Sequence, residues 1–293
     1  GPADSAGQSI IGSGNTSVLS LQDCSRWVVG GVTHSHTILG ACGTIDLQDN
    51  AVIDPMAGCP GIIRLDGGNI RGNGTVNTDI QLSGGVFGCG DAAGDVLLLT
   101  GNITQQNNGD EFTVKASGTI RLGTEDMLDN SSTNMDIQLQ GGTLDINGTN
   151  QGASGSELGT LTVSSNSTIE FTAADATQNI YLTGSGSALT ATLSMVGWGG
   201  TAGVSNAGVG DRLIFNGRPF GWADDDNGGL GFTGVDWGGL GTRTELIDLG
   251  GGFFELVPMA SGVPETSTLY AGSCFIVVMS FSIFRRWARF TGK

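Results

Sequence analysis

The sequence predicts an all-β fold, a right-handed parallel β-helix or solenoid-like domain, followed by one C-terminal transmembrane α-helix. Three observations predict it. Apolar residues alternate with polar ones in short runs, the period of a strand with one buried face. Almost every run ends in a glycine or asparagine turn signal. One long stretch without a charge stands near the C-terminus.

The alternating runs extend from about Ile45 to Phe171: Ile45-Asp46-Leu47, Ile63-Arg64-Leu65, Ile80-Gln81-Leu82, Phe112-Thr113-Val114, Ile137-Gln138-Leu139, Leu144-Asp145-Ile146, Leu161-Thr162-Val163 and Ile169-Glu170-Phe171. Their turn signals include Gly67-Gly68, Asn73-Gly74, Gly84-Gly85, Gly141-Gly142 and Asn147-Gly148. No stretch before residue 264 shows a 3.6-residue apolar period. The segment from Asn77 to Gly85 returns in similar form from Asn134 to Gly142, and Gly43-Thr44-Ile45 is echoed by Gly118-Thr119-Ile120. Degenerate repetition of strand and turn is the sequence form of a solenoid, whose coils bury their inner faces only by stacking. An antiparallel β-sandwich gives the same alternation and is the alternative fold.

Between residues 195 and 252 the pattern changes to long glycine loops that carry Trp198, Phe215, Phe220, Trp222, Phe232 and Trp237. This region reads as the capping or decorated end of a domain spanning residues 1–257. Residues 258–268 read as a linker, and residues 269–293 as the membrane segment with a basic tail. From Leu269 to Phe284 sixteen residues carry no charge. As a helix they reach about 24 Å, a little short of the ~30 Å hydrocarbon core. Tyr270, Phe275, Ile276, Val277, Val278, Phe281, Ile283, Phe284 and Trp287 supply the lipid-facing and interfacial groups, while Arg285, Arg286, Arg289 and Lys293 follow them. By the positive-inside rule those basic residues stay cytoplasmic and the main domain lies outside.

Composition narrows the class further. With 52 Gly but only 6 Pro the chain is not collagen-like, and its low charge content excludes a highly charged disordered chain. Before Leu269 there are eight basic residues against 28 acidic ones, a net charge of −20. Such a surface repels nucleic acid and anionic lipid, and suits cations or cationic partners. Cys24, Cys42, Cys59 and Cys89 match no zinc spacing and read as one or two disulfides of an oxidising compartment, in any of three pairings, with free buried thiols as the alternative. The N-terminus shows no basic or apolar signal stretch, as expected of an exported chain whose signal has been removed.

The order Val263-Pro264-Glu265-Thr266-Ser267-Thr268, an apolar span, then Arg285-Arg286-Trp287-Ala288-Arg289 resembles the PEP-CTERM sorting tail of exported bacterial proteins. Thr266 stands where that pattern has a second proline. Leu158 to Val163, Ser167 to Phe171, Val196-Gly197-Trp198 and Asp211 to Phe215 resemble the glycine-rich, autotransporter-like β-helical regions that precede such tails. The resemblance implies a bacterial surface or matrix protein and supplies no catalytic residues.

Other residues offer chemistry in weaker patterns. His34 and His36 share a strand face at i, i+2 spacing but have no evident third ligand. Asp224, Asp225, Asp226 and Asn227 concentrate the hard oxygen donors that Ca²⁺ takes, outside any EF-hand register; no other cofactor is expected. Six N-glycosylation sequons, at Asn15, Asn73, Asn102, Asn130, Asn147 and Asn166, are expected by chance in so Asn- and Thr-rich a chain. No nucleophile elbow or phosphate loop is present. The expectation is a non-catalytic, membrane-anchored, extracytoplasmic structural or interaction protein of the cell surface, used in adhesion or as a layer or fibre subunit, and partnered by the bilayer and by other proteins or copies of itself. An accessory subunit of a membrane complex, docked through the C-terminal helix, and a polysaccharide-acting β-helix enzyme are the alternatives.

Overall fold

The computed structural model describes residues 9–260 apart from 12–16, 23–24, 30–35, 59–60, 85, 89–93, 108–109, 116–117, 129–133, 173–176, 187–188, 220 and 223–233. The described strands pair in parallel until the C-terminal end, so the chain is a β-solenoid and the sandwich alternative is excluded. The coils have three faces. Face A stacks Ser9–Ile11, His36–Gly40, Ile62–Asp66, Asp79–Leu82 and Ile103–Gln105. Face B begins at Ser17–Leu21 and continues through Val86–Gly88, Glu111–Lys115, Asp136–Gln140, Leu158–Ser165 and Asn179–Ser185 to Arg212–Asn216. Face C includes Arg26–Val29, Val96–Leu99, Thr119–Leu122, Thr143–Asp145, Ser167–Glu170, Leu193–Val196 and Val235–Asp236. Gly43–Pro55 and Asn69–Val76 run around a corner and belong to both B and C.

Alternation in sequence becomes columns in space, because parallel in-register pairing sets equivalent residues above one another. On face B, Ile45, Ile70, Phe87, Val114, Leu139 and Val163 form one buried column. On face C, Leu97, Ile120, Leu144, Ile169 and Met195 form another, with Ile63, Ile80, Ile103 and Leu128 on face A. The Phe87 and Phe112 rings meet with centroids 5.0 Å apart. Each such side chain gains roughly 1.5–3 kcal/mol on burial, set against the ordering entropy of its residue.

Two local expectations are corrected. Asn73-Gly74 is not a hairpin turn: the strand passes straight through it from face B to face C. Extra residues on the neighbouring coil bulge there, with Asp49 and Asn50 at φ 53° and 61°, and the backbones close in. A Cβ at Gly72, whose φ is +105°, would lie 1.8 Å from the Leu47 carbonyl oxygen. The echo of Asn77 to Gly85 in Asn134 to Gly142 is also not a structural repeat. Asp79–Leu82 lies on face A and Asp136–Gln140 on face B. The coil step along the face C column, from Leu97 to Ile120 to Leu144 to Ile169 to Met195, is less than half the spacing of that echo and does not divide it evenly.

The region from 195 to 252 holds the last parallel rungs and part of a closing hairpin. Thr244–Gly250 and Phe253–Pro258 pair antiparallel around Gly250, Gly251 and Gly252, all at positive φ, and Phe253–Pro258 pairs antiparallel with Arg212–Asn216. The expected linker therefore starts inside the fold, as Pro258 ends a strand and its carbonyl accepts the Gly203 amide at 2.9 Å. Of the loop aromatics, Phe215, Trp222 and Trp237 are buried: Trp222 packs against Phe215, and Trp237 against the partly buried Trp198, while Phe220 and Phe232 lie outside the described residues.

The composite of β domain plus transmembrane helix requires correction. The described architecture is β throughout except for a single 3-10 turn at Gly238–Leu240, and no helix among the described residues is long and apolar enough to cross a membrane. The span from Leu269 to Phe284, the box from Val263 to Thr268 and the basic tail lie outside the described residues. The described residues thus form a β-solenoid, with no membrane-crossing helix among them.

Candidate functional surface

The outward residues of face B form an open groove of about 310 Å³. It is lined by Gly84, Val86, Asp110, Glu111 and Thr113, and by Lys115, Gln138 and Gln140. Because inward positions are taken by Phe112, Val114, Ile137 and Leu139, the residues between them must face out. Register then assembles columns from separate coils: Glu111 beside Asp136, Thr113 between Val86 and Gln138, and Lys115 between Gly88 and Gln140.

Six of the eight lining residues carry hydrogen-bonding side chains, the exceptions being Gly84 and Val86. Gln140 donates through Nε2 to Gln138 Oε1, which fixes the two amides side by side. Asp110 accepts the Asn107 amide at 2.8 Å and closes the turn before the strand. Lys115 and Glu111 stand four residues apart on one strand, about 13 Å at the rise of a β-strand. The groove therefore has a cationic end, an acidic end and a neutral hydroxyl and amide middle.

Face C carries the clearest carboxylate pair among the described residues. Arg121, Asp145 and Glu170 stack on three successive rungs. Arg121 Nε lies 2.6 Å from Asp145 Oδ2, while Asp145 Oδ1 accepts the Thr172 hydroxyl at 2.6 Å and the Asn147 amide at 2.8 Å. Asp145 is fully buried. Burial, then the neighbouring Asp145 charge, pushes the Glu170 carboxyl above its usual range, with Arg121 opposing. With both Asp145 oxygens engaged inside the protein, this column ties coils together.

A third polar group fastens the C-terminal cap. Buried Glu255 accepts from Arg212 Nη2 at 3.0 Å, Ser205 Oγ at 2.8 Å and the Asn206 amide at 3.0 Å. Asp211 accepts the amides of Gly199 at 2.7 Å and Gln178 at 3.0 Å, yet burial still raises its pKa.

The residues singled out from sequence fare unevenly. Cys42 carries a free, exposed thiol, and Cys24, Cys59 and Cys89, the other members of the expected disulfides, lie outside the described residues. The calcium candidates Asp224, Asp225, Asp226 and Asn227 lie outside them too, as does His34, while His36 opens a face A strand. Among the described residues no group of three or more His, Cys, Asp or Glu side chains gathers as metal ligands would. The groove was missed because each of its members is an ordinary outward residue in its own run. Only the register shows that they adjoin.

No family model matches the chain, and comparison with curated proteins and with solved structures likewise gives no significant match.

Proposed function

We propose that the chain is a non-catalytic structural or interaction protein working outside the cytoplasm, and that it meets its partners through the lateral faces of the solenoid. The observation that carries this reading is the closing hairpin. Parallel coils end in open backbone edges that would template stacking of further chains. Here face B is closed by Phe253–Pro258 and Thr244–Gly250, and the outermost strand carries Glu245 and exposed Asp248 with a register shift beside Gly250. Charge and irregularity on an edge strand both oppose end-to-end addition. Repeating columns on the sides are left as the extended surface for binding.

The extracytoplasmic setting is supported by the likeness of the Val263 to Thr268 box and arginine cluster to an export tail, and by the acidity of the domain. The non-catalytic reading is supported by the engagement of both Asp145 oxygens in the stacked carboxylate pair of face C. An acidic lateral surface suits a cationic or neutral partner.

Light scattering and negative-stain imaging test the reading on the full chain, with mild detergent to shield the apolar stretch after residue 268. The native protein is expected to remain discrete, and the double variant Glu245→Thr, Asp248→Thr to associate end to end. Fibres formed by the native protein through its hairpin end would overturn it.

A further inference from the structure

We propose that the face B groove binds a linear, extended, neutral glycan lying along the solenoid axis across successive coils. The groove takes its walls from three rungs, with Val86 on one, Asp110 to Lys115 on the next and Gln138 with Gln140 on the third. The columns run on to the following rung, where Thr162 stands beside Gln138, and Ser165 beside Gln140. Donors and acceptors thus recur at the interstrand spacing of about 4.8 Å, comparable with the advance of one sugar ring in an extended chain. Hydroxyl and amide groups present both donors and acceptors, as sugar hydroxyls do.

Other ligand classes fit less well. A polyanion would meet one cation among the described lining residues, Lys115, against Asp110 and Glu111, on a chain whose residues before Leu269 carry a net charge of −20. A peptide segment would find, among the described lining residues, a single apolar side chain, Val86, to anchor on. A neutral polyhydroxylated chain needs neither. Buried Thr113 forms the floor, and the Gln138–Gln140 pair holds its amides in place before any ligand arrives, which lowers the ordering cost of binding.

The inference rests on lateral binding, but its failure leaves that reading standing, since the association state of the hairpin variants judges it separately. Cellohexaose and xylohexaose are titrated into the full chain by calorimetry and by NMR, with isomaltohexaose as a flexible control and a neutral extended hexapeptide as a competing class. Saturable binding of at least one of the first two is expected. The variant Gln138→Ala, Gln140→Ala should weaken it about tenfold, and Lys115→Met should change it less than threefold. Thr168→Ala, on face C, should leave it unchanged. Circular dichroism confirms that each variant is folded, and Gln138→Glu, which keeps size and adds charge, provides a second groove variant expected to weaken binding. No saturable glycan binding, binding indifferent to both Gln138 variants, or preference for the peptide would each overturn the proposal.

Discussion

Removing the Glu255 carboxylate should unlatch the C-terminal end of the solenoid. Glu255 sits on Phe253–Pro258, the strand that closes face B, with its side chain fully buried and that of Arg212 only 11% exposed. Glu255→Ala removes the acceptor of hydrogen bonds from three residues together, Arg212, Ser205 and Asn206, the last donating through both its backbone amide and Nδ2. Arg212 is left with a guanidinium whose Nε is already buried without a partner. Breaking a buried ion pair by removing one member costs about 3–5 kcal/mol, and residual solvent access to Arg212 points to the lower end, about 3 kcal/mol. Because stability in a stacked repeat is local, that cost falls on the terminal rungs. Since a tenfold change in an equilibrium corresponds to about 1.4 kcal/mol, the open cap should become more than a hundredfold more populated. Native-state hydrogen exchange of amides 253–258 reads this directly, with urea unfolding followed by circular dichroism as a check. Replacing both partners, Arg212→Met with Glu255→Leu, should recover most of the loss. Unchanged exchange in Glu255→Ala would refute the view that this ion pair fastens the cap.

Leu139→Ala, in the middle of the face B column, should lower stability by about 2–5 kcal/mol, seen as a reduced urea midpoint. Gly72→Ala should abolish soluble folded protein, since its Cβ would meet backbone 1.8 Å away; Gly84→Ala, at φ +80° in open space, should cost about 1–2 kcal/mol of melting stability. Two carboxylates should give opposite pH dependences of unfolding. Glu170 is raised above its ordinary 4.5, so the native state binds the extra proton and stability falls as pH rises from near 4.5 through the raised value; Glu170→Gln should flatten that fall. Asp54 is lowered below its ordinary 3.8 by the Asn77 hydrogen bond, with Arg26 assisting against desolvation. Its contribution is present above about 3.8 and lost as pH falls through the lowered value, and Asp54→Asn should remove that acid-side slope.

The candidate surface was only half legible. Ile137-Gln138-Leu139 and Phe112-Thr113-Val114 announce strands with Gln138 and Thr113 facing out, yet nothing in either run says that the two strands adjoin. The echo between Asn77 to Gly85 and Asn134 to Gly142 reads as a repeat unit, yet the similar segments occupy different faces. Asn73-Gly74 misled for a related reason. Asparagine followed by glycine is a turn signal when the chain reverses, but here glycine is needed so that two coils can approach at a corner.

By itself the sequence determined the all-β character and the inward column residues, because a period of two leaves Ile45, Leu47, Leu139 and Val163 only one apolar side to bury. It also determined the acidity, since formal charge does not depend on folding. Tertiary structure alone decided which runs lie side by side, and hence the groove, the Arg121–Asp145–Glu170 column and the hairpin latch. Register and coil length are set by how bulges and glycine corners let neighbouring coils close on one another, and that closeness is a property of pairs of coils that no single run encodes.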